Sequence, residues 1–259
     1  MIKPKIIAIA NQKGGVGKTT TAINLSSSLA HFGKKILLID MDPQGNSSRG
    51  VGVDGSLANK TIFNVLVGEV EIDKVIKKTN CKDLYVIPSN INLSFVEPSL
   101  IGNKDPYFLL KNELSKLTKV FDYIIIDCPP SLGMLNINAL VACNSVLIPV
   151  QCEYFAMEGV AQILASVNKI KNLYNNNLTI EGFLFTMYDP RTRLCVEVAT
   201  QVRKLFKENT FLTSIPRNIS LPESSAKGIP VTIYRPKSQG SLAYLSLAKE
   251  VIQNEEEQR

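Results

Sequence analysis

Two lysines five residues apart, bracketing a run of glycines and followed by paired threonines, are the most chemically specific feature of this chain. The segment reads Asn11-Gln12-Lys13-Gly14-Gly15-Val16-Gly17-Lys18-Thr19-Thr20 and directly follows a short apolar run. A glycine-rich turn between a strand and a helix lets successive backbone N–H groups converge on phosphate oxygens, and the helix N-terminus adds partial positive charge. In that setting Lys18 reaches the β- and γ-phosphates of a nucleotide and the Thr19 hydroxyl binds Mg²⁺. Three carboxylates end apolar runs farther along: Asp40 and Asp42 in Leu38-Ile39-Asp40-Met41-Asp42-Pro43-Gln44-Gly45-Asn46, and Asp127 after Tyr123-Ile124-Ile125-Ile126. A carboxylate delivered by a buried strand beside the phosphates is Walker B logic, with Asp127 holding Mg²⁺ through a water. The Asp40/Asp42 pair also suits a turn and a helix cap.

The elements needed to position these groups are legible as short β-branched runs alternating with helical patterns, the mark of βαβ units. Strands are predicted at Lys5–Ala10, Lys35–Asp40, Leu84–Pro88, Tyr123–Asp127, Ser145–Val150, Ile180–Met187 and Phe211–Ile215. Helices are predicted at about Lys18–His31, Pro106–Lys119, Ala156–Tyr174, Leu194–Glu208 and Ser241–Gln253. Several strands are continuously apolar, as in sheets covered on both faces. The expected fold is α/β: a mostly parallel twisted sheet with helices on both faces, of the P-loop NTPase kind. It forms one domain over residues 1–259, with an acidic tail at about 254–259.

Composition narrows the class. The 259 residues are 45% hydrophobic and 20% charged, ordinary for a globular protein. No apolar run approaches the roughly 20 residues that span a bilayer, and the N-terminus shows no secretory signal, so the expected location is cytoplasmic. Five scattered cysteines without a Cys-x-x-Cys pair argue for reduced thiols over a disulfide framework or metal cage. His31 is the lone histidine, with no nucleophile motif beside it to make a hydrolase triad.

The loop departs from the common Gly-x-x-x-x-Gly-Lys-Ser/Thr pattern, because Gln12 stands where the first glycine belongs and Lys13 follows. In this it resembles the deviant Walker A motif of the ParA/MinD/nitrogenase-iron-protein group of dimeric ATPases. The resemblance implies that Lys13 reaches across a dimer interface to the partner's nucleotide, as a trans-acting arginine finger does. It further implies that Lys13–Thr20 (Lys13, Gly14, Gly15, Val16, Gly17, Lys18, Thr19 and Thr20) bind ATP, that Asp42 orients the attacking water, and that Asp40 lies near the metal. The segment after Asp127, up to Gly133, corresponds to a second switch.

Later segments are similar to the ParA/Soj partition ATPases: Phe185–Thr192, Ile215-Pro216-Arg217-Asn218, Glu223–Val231 and Gly240–Glu250. By that likeness Pro216 and Asn218 lie near the adenine. Between Arg191 and Lys237 nine basic residues face three glutamates, an excess of +6 that equals the formal charge of the whole chain. Arg191, Arg217, Lys227 and Arg235 are the candidate contacts to DNA phosphates, bound without regard to base sequence. The family implies an ATP-dependent homodimer, non-specific double-stranded DNA, a ParB-type partner and a nucleoid-associated location. No helix-turn-helix precedes the loop, as in the small members. A MinD-like membrane cycle would need a basic amphipathic C-terminus, whereas this chain ends Asn254-Glu255-Glu256-Glu257-Gln258-Arg259. The iron–sulfur and amidotransferase relatives would need glycine-flanked interface cysteines or a small-molecule carboxylate pocket, and neither signature is seen.

Overall fold

The computed structural model describes residues 3–102, 104–131 and 133–258. Seven strands form one sheet: β1 (Lys5–Ile9), β2 (Ile36–Asp40), β3 (Lys77–Lys78), β4 (Leu84–Ile87), β5 (Tyr123–Asp127), β6 (Ser145–Gln151) and β7 (Thr179–Thr186). Their order across the sheet is β3-β4-β2-β5-β1-β6-β7. Only the short β3 runs antiparallel to its neighbour; every other pairing is parallel. β1 lies between β5 and β6, so the loop that follows it emerges at the middle of the sheet's C-terminal edge, where α/β folds bind ligands.

The central strands are apolar on both faces because both are covered. Ala8, Leu37, Ile39, Ile124 and Ile126 enter one core cluster, and the alternating Ile7, Ile9, Leu38, Tyr123 and Ile125 enter the other. The second face is packed by helix Lys18–His31 through Ala22, Ile23, Leu25 and Leu29, and by the C-terminal helix Gln239–Gln258 through Tyr244, Leu247 and Val251. Helices Met134–Ala142, Ala156–Leu173 and Arg193–Leu205 cover the first. Each buried branched side chain contributes about 1.5–3 kcal/mol relative to exposure.

Three sequence expectations are corrected. Phe211–Ile215 is not a strand. Isolated bridges flank it at Thr210 and Pro216, and its Phe211 and Ile215 N–H groups reach the Phe183 and Phe185 carbonyls of β7, but the Leu212 and Thr213 N–H groups donate to the Glu250 carboxylate and no continuous ladder forms. The helix expected over Pro106–Lys119 spans only Leu109–Ser115. The Asp73 carboxylate captures the N–H groups of Thr118 and Lys119, and Asn138 accepts from the Leu110 N–H and donates to the Pro106 carbonyl. The last helix, expected over Ser241–Gln253, spans Gln239–Gln258 and takes in the acidic segment, where Glu255 accepts a hydrogen bond from the Tyr123 hydroxyl. None of the five cysteines is in a disulfide, and no helix among the described residues is long and apolar enough to cross a membrane.

Candidate functional site

The loop after β1 is shaped by two glycines in the left-handed region, Gly15 at φ 75° and Gly17 at φ 87°, a conformation that costs L side chains energy. Gly17 is the N-cap of helix Lys18–His31. Both flanks of the loop are tied down. The Asn11 amide donates to the Pro149 carbonyl (2.7 Å) and its oxygen accepts from the Lys13 N–H (3.0 Å). On the far side the Thr186 hydroxyl donates to the Val16 carbonyl at 2.8 Å. Gln12, which replaces the usual glycine, donates to the Ser166 hydroxyl (2.9 Å) and the Gln162 carbonyl (3.2 Å) on helix Ala156–Leu173.

Both lysines are held inside the protomer. Lys18 is buried and donates its ammonium to the Lys13 carbonyl at 2.9 Å. Burial lowers its pKa, opposed by the nearby Asp127, Cys128 and Asp42. A desolvated ammonium beside open N–H groups is suited to an incoming phosphate. The Lys13 ammonium meets Glu153 at 2.7 Å.

Three carboxylates converge at the ends of β2 and β5, in different states. Asp40 and Asp127 are register partners in adjacent strands and both are fully buried. Asp40 is saturated: one oxygen accepts from the Asp42 N–H (3.1 Å), the other from the Ser48 N–H (2.8 Å) and hydroxyl (2.6 Å). Burial still raises its pKa. Neither oxygen of Asp127 has a hydrogen-bond partner. Its pKa stands well above the ordinary value because of burial first and the Asp40 charge second; the nearby Thr19 and Ser47 hydroxyls offset this only in part. A buried carboxylate without donors is costly unless a cation meets it. The donor set therefore fits Mg²⁺ at Thr19 and Asp127, with phosphate and water oxygens completing a hard-cation shell. Asp40 stands beside that point, but its lone pairs hold the segment after β2. No group of three or more His, Cys, Asp or Glu among the described residues forms a protein-only metal cage.

Asp42 is half-buried and accepts the Gln44 N–H at 2.9 Å. The turn beyond it reverses at Gly45, φ 64°, where an added Cβ would lie 2.8 Å from the Ser89 carbonyl oxygen. Asp42 is thereby aimed by a turn closed against β4's end, while its own carboxylate remains accessible.

Beside the loop lies a cavity of about 410 Å³ lined by Gly15, Gly17, Thr186, Met187, Pro216, Asn218 and Tyr244, among others. Its walls are mostly apolar with a few polar groups, as nucleotide-base pockets require. Pro216 and Asn218, the residues expected near the adenine, both line this cavity. Arg217 lines the same cavity.

Comparison with known proteins agrees with this geometry. Residues 4–180 match the AAA domain family. The chain is 47% identical over 250 residues to the sporulation initiation inhibitor protein Soj of Bacillus subtilis, covering 96% of this chain and 99% of that one. It is 44% identical to the chromosome-partitioning ATPase Soj of Treponema pallidum, covering 96% and 97%. The chain belongs to the ParA/Soj family of chromosome-partitioning ATPases. Among solved structures, cobyrinic acid a,c-diamide synthase of Mycobacterium smegmatis with a bound ATP analogue and magnesium superposes with a TM-score of 0.88 at 34% identity, covering 99% and 97%. The septum site-determining protein MinD of Pyrococcus horikoshii with Mg-ADP gives 0.81 at 28%, covering 96% of each.

The basic residues of this ParA/Soj chain are less free than the sequence count implies. Arg191 makes a bidentate pair with Asp189 at 2.9 and 2.8 Å, a carboxylate just outside the counted window. It holds the Asp189 carboxyl down at about 2. Arg193 pairs with Glu197, and Arg235 with Glu223. Arg203 stacks over the Phe185 ring. Lys227 is exposed and carries no ion pair among the described residues. The sequence reading missed Ser48, Thr186, Tyr244 and Glu153. Only Ser48 had a local signal, a hydroxyl pair immediately after the Gly45 turn; the others come from strands and helices distant in sequence.

Proposed function

We propose that this chain, as a single P-loop ATPase domain over residues 1–259, couples ATP binding to dimerisation and to non-specific DNA binding. A ParB-type partner accelerates hydrolysis, and the protein works in the cytoplasm on the nucleoid. The observation that carries this reading is the contrast at the loop mouth: Asp127 is buried with neither oxygen in a hydrogen bond, while Lys18 is buried and donates only to a backbone carbonyl. These are a cation-accepting and an anion-accepting group placed side by side.

On nucleotide binding, Lys18 exchanges the Lys13 carbonyl for phosphate oxygens and the loop N–H groups complete the cradle. Mg²⁺ at Thr19 and Asp127 would neutralise charge between the β- and γ-phosphates. Asp42 holds the attacking water in line. Lys13 of the partner subunit supplies positive charge to the oxygens as the bond to the γ-phosphorus breaks. Two chains closing face to face put two sets of basic residues on one DNA segment, so nucleotide state becomes DNA affinity.

Sedimentation with Mg-ATP, Mg-ADP or no nucleotide tests the switch. Dimers only with ATP, abolished by Lys13→Ala, support it. A Lys13→Ala protein that dimerises and turns over normally overturns the trans role of Lys13.

A further inference from the structure

We infer that Glu153 is a positioning residue that latches Lys13 inside its own protomer and sets the threshold for its engagement in trans. The inference rests on the dimer reading above and adds a residue to it. Residue 13 is held at two points. Its carbonyl accepts from Lys18 at 2.9 Å, and its ammonium pairs with Glu153 Oε2 at 2.7 Å. The other oxygen of Glu153 accepts from the Gln151 side chain, and the Glu153 carbonyl accepts from the Ala156 N–H. Just past the end of β6, the backbone of residue 153 is thus tied to the following helix and its carboxylate is steadied by Gln151.

The two holds answer to different events. Phosphate draws Lys18 away from the Lys13 carbonyl, so nucleotide binding releases the first. The second is separate from that exchange, because Glu153 does not line the cavity beside the loop. A partner's phosphates must then outbid Glu153 for the ammonium before Lys13 can cross. The pair is suited to this: both side chains are well exposed (39% and 48%), so the hold is weak and reversible. Beside it Tyr154 and Phe155 are 79% and 63% exposed, large apolar side chains that a second copy closing on this edge would cover. A bond this exposed shifts an equilibrium by up to about fivefold. Two latches open per dimer, so their combined effect reaches about twenty-five-fold.

The test is Glu153→Gln, which removes the charge and keeps the shape. Dimerisation with a non-hydrolysed ATP analogue is followed by sedimentation equilibrium, with melting temperature and fluorescent-ADP affinity as checks on the fold and the pocket. The latch predicts a dimer constant tighter by several-fold to about twenty-five-fold, with both checks unchanged. A second variant, Gln151→Ala, frees one side of the carboxylate and should shift the constant in the same direction by less. A Glu153→Gln dimer equal to or weaker than the parent, with both checks intact, overturns the latch. If the parent itself stays monomeric with the analogue, the dimer reading fails and the latch falls with it.

Discussion

Asp40 and Asp127 sit opposite one another at the ends of adjacent parallel strands, both fully buried, yet one carboxylate accepts three hydrogen bonds and the other none. On the proposed reading the asymmetry divides their work: Asp40 organises the segment carrying Asp42, and Asp127 is left for a cation. Neutralising Asp127 should therefore stabilise the nucleotide-free protein while damaging its use of Mg²⁺.

Asp127→Asn is expected to raise the stability of the free chain at neutral pH by about 1–3 kcal/mol. The sign follows from linkage. Burial raises the folded pKa of Asp127, so its contribution is most favourable below the unfolded value of about 4 and is lost as pH rises through the folded one. Asp40, Asp42 and Lys18 face the same point. The advantage of Asn should vanish at low pH and grow as pH rises, read by denaturant unfolding of both proteins. The variant should also lose the Mg²⁺ dependence of nucleotide affinity. A variant less stable than the parent at neutral pH contradicts the assignment.

Gly45→Ala should lower the melting temperature by about 5 °C or more and slow turnover. It adds a left-handed strain and a contact at 2.8 Å with the Ser89 carbonyl oxygen, and the backbone shift carries Asp42 with it. Gly68→Ala is the control: its φ is 78° but its added Cβ meets nothing within 4 Å, so only a strain of about 1 kcal/mol applies. Equal effects from the two would show that the Ser89 contact does not hold the turn.

Asp42→Ala should cut turnover by about 10²- to 10⁴-fold while leaving nucleotide affinity within a few-fold. The ATP-bound dimer should then persist on a sizing column after the parent has dissociated. Turnover near that of the parent removes Asp42 from the reaction.

Sequence alone carried the parallel strands and the phosphate loop because both depend on local pattern; the two-residue β3, Lys77–Lys78, has none and was not expected. The strands Tyr123–Asp127 and Ser145–Gln151 are apolar runs bounded by polar residues, and the loop announces itself through glycines and lysines at fixed offsets. What it could not give were the side-chain partnerships that folding makes. Leu212 and Thr213 have strand-like neighbours, yet Glu250, 38 residues away from Leu212, takes their N–H groups. Asp40 and Asp127 look alike as strand-end carboxylates until Ser48 is placed on one of them. Arg191 counts as a free charge until Asp189 folds back to pair with it. Lys13 is legible as a second lysine, but its partner Glu153 is 140 residues away.

The central claim is that nucleotide state controls DNA affinity, and the most direct measurement is binding to a random-sequence duplex at two salt concentrations with ATP, ADP or no nucleotide. Tight, salt-sensitive binding with ATP alone is the predicted result, with Lys227→Glu weakening it across all sequences and lowering the salt slope by about 1–2. Binding of equal strength in all three nucleotide states would contradict the account.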